Sequence, residues 1–213
     1  MASQGLEEGS QSKGLERLIG LTDDVFAFAI TVLVLDLVTP SILGPESNSS
    51  LAQSIQNESP LFLNYIVSFW VIGILWAGHH RVFRYIKSSD QGLLFLNLFF
   101  LFFVVLIPFS TRVLDAYTHI QLSVVLFALI LAGASLMTAF IWKYASDTRR
   151  NLVRSEVSAR FARWLWIRNL VAPIVFGLSA PLTFISTYAP IVCWLAFLPA
   201  LILLEKRYWR PPS

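Results

Sequence analysis

Charge is scarce in this sequence. Of its 213 residues, 14% are charged and 56% are hydrophobic, a balance far from that of a soluble domain and suited to a chain that crosses a membrane several times. Cysteine is nearly absent: Cys193 stands alone in an apolar run, which excludes a disulfide framework and a thiolate metal cluster. The three histidines are badly placed for a shared metal or haem, because His79 and His80 are adjacent while His119 belongs near the opposite membrane face. No G-x-S-x-G nucleophile elbow occurs. The period-2 alternation of a membrane barrel is missing too. The stretch "MASQGLEEGSQSKGLE" carries Glu7, Glu8 and Glu16 against Lys13, so it reads as a flexible cytosolic tail (1–16) and not as a secretory signal. The expectation is an all-α membrane helical bundle that is not an enzyme, with no catalytic residues, metal or cofactor.

What is present is six apolar stretches. They run approximately over Leu18–Val38, Leu61–Gly78, Gly92–Phe109, Leu122–Trp142, Trp164–Thr183 and Ala189–Leu204, separated by breaks such as "TPSILGPESNSSLAQSIQNESP" and "SDTRRNLVRSEVSAR". Pro60 suits a first helical turn, and Pro108, Pro173, Pro181 and Pro199 suit kinks or ends. In a six-span arrangement all but one of the sixteen Lys and Arg residues fall on one side, Arg112 being the exception. The positive-inside rule then places both termini in the cytosol. The basic pI is thereby a consequence of topology, and no nucleic-acid partner is expected. The segment from Arg149 to Trp166 reads as a snorkelling, interface-anchored lead into span five, an anionic-lipid site being the alternative.

The first span is the unusual one. In "LTDDVFAFAITVLVLDL", Asp23 and Asp24 precede an uncharged run, Val25 to Leu35, that rises roughly 16 Å before Asp36. That is about half a bilayer's hydrocarbon thickness, and each carboxylate near a lipid-facing helix centre costs about 3 kcal/mol. The cost vanishes if protein and water surround the helix. Phe28, Thr31 or Val32, Leu35 and Asp36 share a stripe at helical spacing, and Ala27 and Val34 on an adjacent stripe permit close packing. Several copies joined along that stripe make a narrow apolar passage with an acidic outer ring, which concentrates cations; ordinary interhelical packing is the other reading of the same stripe. At the cytosolic end, Arg17, Thr22, Asp23, Trp76 and His79 fall at one depth. Arg17 is placed to neutralise Asp23, and Trp76 and His79 to donate hydrogen bonds, pinning span one to span two; setting a pore's open state or responding to pH through histidine is the other reading. Asn64, Asn97 and Asn169 read as glue between helices, and Ala132 to Ser135 as a close-packing patch.

"RLIGLTDDVFAFAITVLVLDL" resembles the R-x-x-x-F-S-D signature and following helix of the transmembrane protein 175 family of potassium channels. "WAGHHRVF" and "LNLFFLFFVVLIPF" are similar to that family as well, so the resemblance covers residues 17 to 110 by motif. It implies a six-span channel domain over 17–210 with a pore helix at 18–38, a homotetramer lined by four first helices, and a hydrophobic constriction in place of a P-loop filter. It assigns Phe28, Thr31, Val32 and Leu35 to the pore and Arg17, Thr22, Asp23, Trp76 and His79 to the network bracing it. Leu21 and Thr22 replace the signature Phe and Ser, Asp24 stands where a small residue is common, and Phe28 replaces an aliphatic residue at the constriction. The implied function is a potassium-selective leak channel, with potassium as permeant ion and membrane lipids as partners, in a multi-pass cell membrane, the bacterial inner membrane being favoured. A proton-coupled secondary transporter is the alternative, although no matching pair of interrupted spans announces inverted repeats.

Overall fold

A computed structural model describes residues 2–35, 37, 41–42 and 45–196, with side chains described from Lys13 onward, Pro60 excepted. The elements are α1 (Ala2–Val34), α2 (Asn48–Asn57), α3 (Ser59–Phe83), α4 (Gln91–Ala116), α5 (Gln121–Ala145), α6 (Ala159–Asn169) and α7 (Val171–Ser179). A short 3-10 helix, Ala180–Phe184, and a helix at 189–196 follow. Backbone polar groups in lipid must be satisfied within the segment, so a chain this apolar has few options besides helices. Four stretches are long and apolar enough to cross a membrane: Leu61–Phe83, Gln91–Ala116, Gln121–Ala145 and Ala159–Phe184. They correspond to the second to fifth expected spans. α1 interrupts its apolar run with Asp23 and Asp24, and the last expected span is described only to residue 196.

Helix ends follow the local chemistry. Ser47 caps α2, its hydroxyl accepting from the Ser50 amide while Ser50 Oγ accepts from the Ser47 amide. Asp90 caps α4, accepting from the Leu93 amide at 2.8 Å through Oδ1 and from the Tyr144 hydroxyl at 2.9 Å through Oδ2. One carboxylate thus fastens the start of α4 to the end of α5. The fifth stretch is broken in the middle. α6 ends at Asn169 and α7 begins at Val171, and Pro173 has no N–H to donate to the Asn169 carbonyl.

The core lies along α5, which packs between α4 and α7. Val124, Phe127, Ala128, Leu131, Ala134, Ile141 and Trp142 of α5 are buried against Leu93, Phe100, Val104 and Ile107 of α4 and Phe176 of α7. Gly133 is why α4 comes so close: a Cβ there would meet the Phe103 ring at 2.5 Å. α1 lies on α4 and α3, using Leu15, Leu18, Thr22, Phe26, Ala29 and Leu33 as its buried face. That spacing of three and four is one side of an α-helix.

At the basic end, the loops after α3 and after α5 are joined. Lys87 N donates to Leu152 O at 2.9 Å and Arg154 N to Tyr85 O at 3.0 Å, forming a single antiparallel bridge between Ile86 and Val153. The Tyr85 ring sits edge-on to both Trp142 and Phe161. Trp142 Nε1 donates to Ala162 O at 2.8 Å, and the Arg150 guanidinium stacks on the Tyr144 ring at 3.7 Å. The segment expected to lead into span five is therefore an ordered loop followed by α6.

Candidate functional site

Two faces of α1 define the site. The exposed face carries Arg17, Gly20, Leu21, Asp24, Ala27, Phe28, Thr31, Val34 and Leu35, again at spacings of three and four. Phe28 is 68% exposed and Leu35 71%. A large aromatic and a leucine so exposed, in line, on a helix fixed from behind, make an apolar strip available to another surface. Thr31 lies between them. Its hydroxyl donates to the Ala27 carbonyl at 2.7 Å, which leaves the oxygen's acceptor side facing outward with the strip. Val32 is half-buried and turned toward α4, lining a cavity of about 240 Å³ with Phe28, Val105, Pro108 and Arg112. Phe28 borders both that cavity and the open face. Asp36 lies outside the described residues.

The opposite face holds a polar chain inside apolar surroundings. Thr22 is wholly buried and its hydroxyl donates to the Leu18 carbonyl at 2.8 Å. With that proton committed, Thr22 Oγ1 accepts from Asn97 Nδ2 at 2.8 Å. Asn97 Oδ1 is then the acceptor for His79 Nε2 at 2.8 Å, so Nε2 carries the histidine proton. The His79 ring is sandwiched by Phe83 at 4.1 Å and Phe100 at 4.8 Å between centroids. α1, α3 and α4 are thereby joined through three side chains at one level. Beside this chain, Trp76 Nε1 donates to Asp23 Oδ1 at 2.8 Å, and the Trp76 ring stacks on His80. A buried polar group without a partner costs about 1–3 kcal/mol, so the apolar surroundings enforce this register of α1 against its neighbours.

The structure thus brings Thr22, Asp23, Trp76 and His79 together at the base of α1, with His79 donating to Asn97. Arg17 is exposed on the outer strip, and among the described residues it takes no part in the chain. Sequence reasoning read Asn97 as interhelical glue and did not place it in the network. The available signal was one amide in the otherwise apolar "LFLNLFF", at the depth of His79 and Thr22. Further out, Asn64 Nδ2 donates to Asp115 Oδ1, and Thr111 Oγ1 donates to Ser68 Oγ at 3.0 Å, so α3 and α4 are also pinned by polar pairs there. Among the described residues no group of His, Cys, Asp and Glu is arranged to hold a metal ion.

Known proteins share both the sequence and the fold. The family profile described as "Endosomal/lysosomal potassium channel TMEM175" matches residues 17–108. A potassium channel of Streptomyces collinus is 34% identical over 176 residues, which make up 80% of this chain and 82% of that protein. The endosomal/lysosomal proton channel TMEM175 of Danio rerio is 29% identical over 161 residues, 70% of this chain and 30% of that longer one. The crystal structure of a lysosomal potassium-selective channel TMEM175 homolog from Chamaesiphon minutus is similar in fold, with a TM-score of 0.74 at 23% identity over 91% of this chain and 98% of that one. With the family profile matching residues 17–108 and a bacterial potassium channel 34% identical over four-fifths of the chain, the protein belongs to the TMEM175 family of ion channels.

Proposed function

We propose that the protein is one subunit of a passive, potential-driven cation channel whose pore is lined by the outer strip of α1. The observation that carries the proposal is the alignment of Phe28, Thr31 and Leu35 on an exposed face of a helix whose other face is locked by the Thr22–Asn97–His79 chain. A lipid-facing helix has no need of Asp23 and Asp24 at its base; a helix bordering water tolerates them. Four copies, as the family resemblance implies, bring four strips around one axis. In this arrangement six spans cross the membrane, both termini lie in the cytosol, the pore segment expected at 18–38 is provided by α1, whose helix ends at Val34, and the channel domain covers 17–210. Asp36 attracts cations at the outer mouth, Phe28 and Leu35 form the apolar layers, and Thr31 oxygens assist a partly dehydrated ion, whereas Val32, assigned to the pore by the resemblance, turns toward α4 and backs the Phe28 layer from behind. Arg17 stands on the cytosolic approach and Trp76 steadies Asp23 beside it.

Potassium is the proposed permeant ion, selected because an apolar constriction too narrow for a full hydration shell favours the ion that sheds water most cheaply. Arg17, Thr22, Asp23, Trp76 and His79 act as positioning residues, not as ligands. Proton-coupled transport is disfavoured, since the relatives are channels. The test is bi-ionic current recording from purified protein in a planar bilayer, potassium against sodium and against protons. Reversal toward the potassium equilibrium potential is expected. Phe28→Ala and Phe28→Asn should each change conductance or the reversal potential. Silence from folded, oligomeric protein across voltage and pH overturns the channel reading, and currents untouched by either substitution remove Phe28 from the constriction.

A further inference from the structure

Trp76 holds Asp23 through its Nε1 and also lines a groove. The groove lies between α3, α5 and the α6–α7 break and encloses about 400 Å³, within the range of about 300–1,000 Å³ usual for small-molecule sites. Phe69, Trp70 and Trp76 supply aromatic walls. Gly73 and Gly78 keep room beside them, since a Cβ at either glycine would meet open space. Arg81 and Arg168 border the groove too, but both are already engaged within the chain, so they leave no charge waiting for an anion.

The unanswered chemistry lies deeper. Among the described residues three buried side-chain polar atoms lack a hydrogen-bond partner, and two of them, Ser135 Oγ and Asn169 Nδ2, belong to residues that line this groove. Ser135 is only 4% exposed. A helical serine or threonine commonly turns its hydroxyl onto the carbonyl four residues back; Thr22 and Thr31 do so, and Ser135 does not. Ala145, the end of α5, is ten residues past Ser135, and Ala159, the start of α6, is ten before Asn169. Each therefore lies roughly 15 Å along its helix from the basic end, about half the hydrocarbon thickness. The phosphate and headgroup of a phospholipid stay outside the hydrocarbon layer and do not reach that level. A single water takes up about 30 Å³ and leaves most of the groove empty. Donors near the midplane ask for acceptor oxygens carried by a neutral molecule dissolved in the hydrocarbon, and aromatic walls ask for a flat ring. From this geometry we infer that the groove binds a membrane-soluble quinone, its carbonyl oxygens accepting from Ser135 and Asn169 and its ring lying against Trp70 and Trp76. The site binds without transferring electrons, requires only that the helices span a membrane, and is independent of which ion permeates.

A quinone quenches indole fluorescence on contact, and Trp70 and Trp76 are placed to report it. The experiment is a titration of the purified oligomer in detergent with decylubiquinone, read by tryptophan fluorescence. The wild-type protein should show a saturable quenching phase. In the double variant Ser135→Ala with Asn169→Leu, the half-saturating concentration should rise about tenfold, as the loss of two hydrogen bonds implies. Gly73→Leu should remove the phase by filling the groove. Decylcyclohexane, with the same tail and no carbonyl, should fail to displace the quinone. Quenching that only grows in proportion to added quinone, as partition into the micelle produces, overturns the inference without any variant. So does an unchanged half-saturation in either variant that folds. Displacement by decylcyclohexane at the quinone's own concentration also overturns it, because the groove then holds an apolar chain whatever its oxygens. Gly73→Leu dissociating the oligomer while leaving the quenching intact does the same, since the groove then seats a second copy of the chain.

Discussion

Asn97 shows how much one amide can hold. Its Nδ2 serves Thr22 of α1 and its Oδ1 serves His79 of α3, while its own backbone belongs to α4. Asn97→Ala leaves the His79 Nε2–H without an acceptor in an apolar layer, at about 1–3 kcal/mol, while Thr22 keeps its bond to the Leu18 carbonyl and loses only a donor. A thermal melt of the purified protein should fall by several degrees, and a melt equal to the wild type would show that the chain holds nothing. The side chain has a second effect. An amide neither gives up nor takes a proton at ordinary pH, so the row from His79 to Thr22 is a strut and not a proton wire. Phe28 is the residue-scale counterpart on the other face: it packs on little within its own chain, and its substitution is expected to act on current far more than on stability.

At the scale of elements, the α4–α5 pair sets the spacing of the bundle. Gly133→Val places carbon atoms where the Phe103 ring now lies, and overpacking of this kind costs about 1–3 kcal/mol. Combining it with Phe103→Leu should recover most of the lost melting temperature, and a double-mutant cycle with no coupling would refute the contact. The helices that carry these residues were legible from the sequence, because long apolar runs have one backbone solution in lipid. Leu122–Trp142 falls inside α5 and Gly92–Phe109 inside α4. Their ends run past the apolar stretches, since Asp90 caps α4 outside the run and residues such as Lys143 extend α5 with polar side chains. The outward side of α1 was legible in part: Phe28, Thr31 and Leu35 face out as their spacing has it, but spacing left Thr31 and Val32 as alternatives, and only packing on α4 turns Val32 away. Partnerships were not: the bond from Trp76 to Asp23 follows from shared depth, whereas Asn97 lies between Thr22 and His79 only through the packing of three helices, which no periodicity encodes. The division of the fifth stretch into α6 and α7 was signalled by Pro173.

For the whole molecule, the exposed strip of α1 requires a partner, and copies of the chain are the partner proposed. In a Cys193→Ser background, Leu35→Cys should give covalently linked subunits with a short bis-maleimide. Leu129→Cys, exposed on α5 away from that strip, should not. Linkage through Leu129 in preference to Leu35 would place the subunit contact on the wrong face. The loops joined at Ile86 and Val153 carry a separate consequence. A rocking-bundle transporter works by letting one helical half tilt from the other so that a cleft opens to the cytosol. Here the α3–α4 connection and the α5–α6 connection share backbone hydrogen bonds, with Tyr85 held between Trp142 and Phe161. A tilt that opened that seam would have to unzip it on every cycle. The helices joined at that seam consequently behave as a fixed frame, and a gate in the proposed pore has to be sought in side chains and small rotations of α1, which the frame backs on one side.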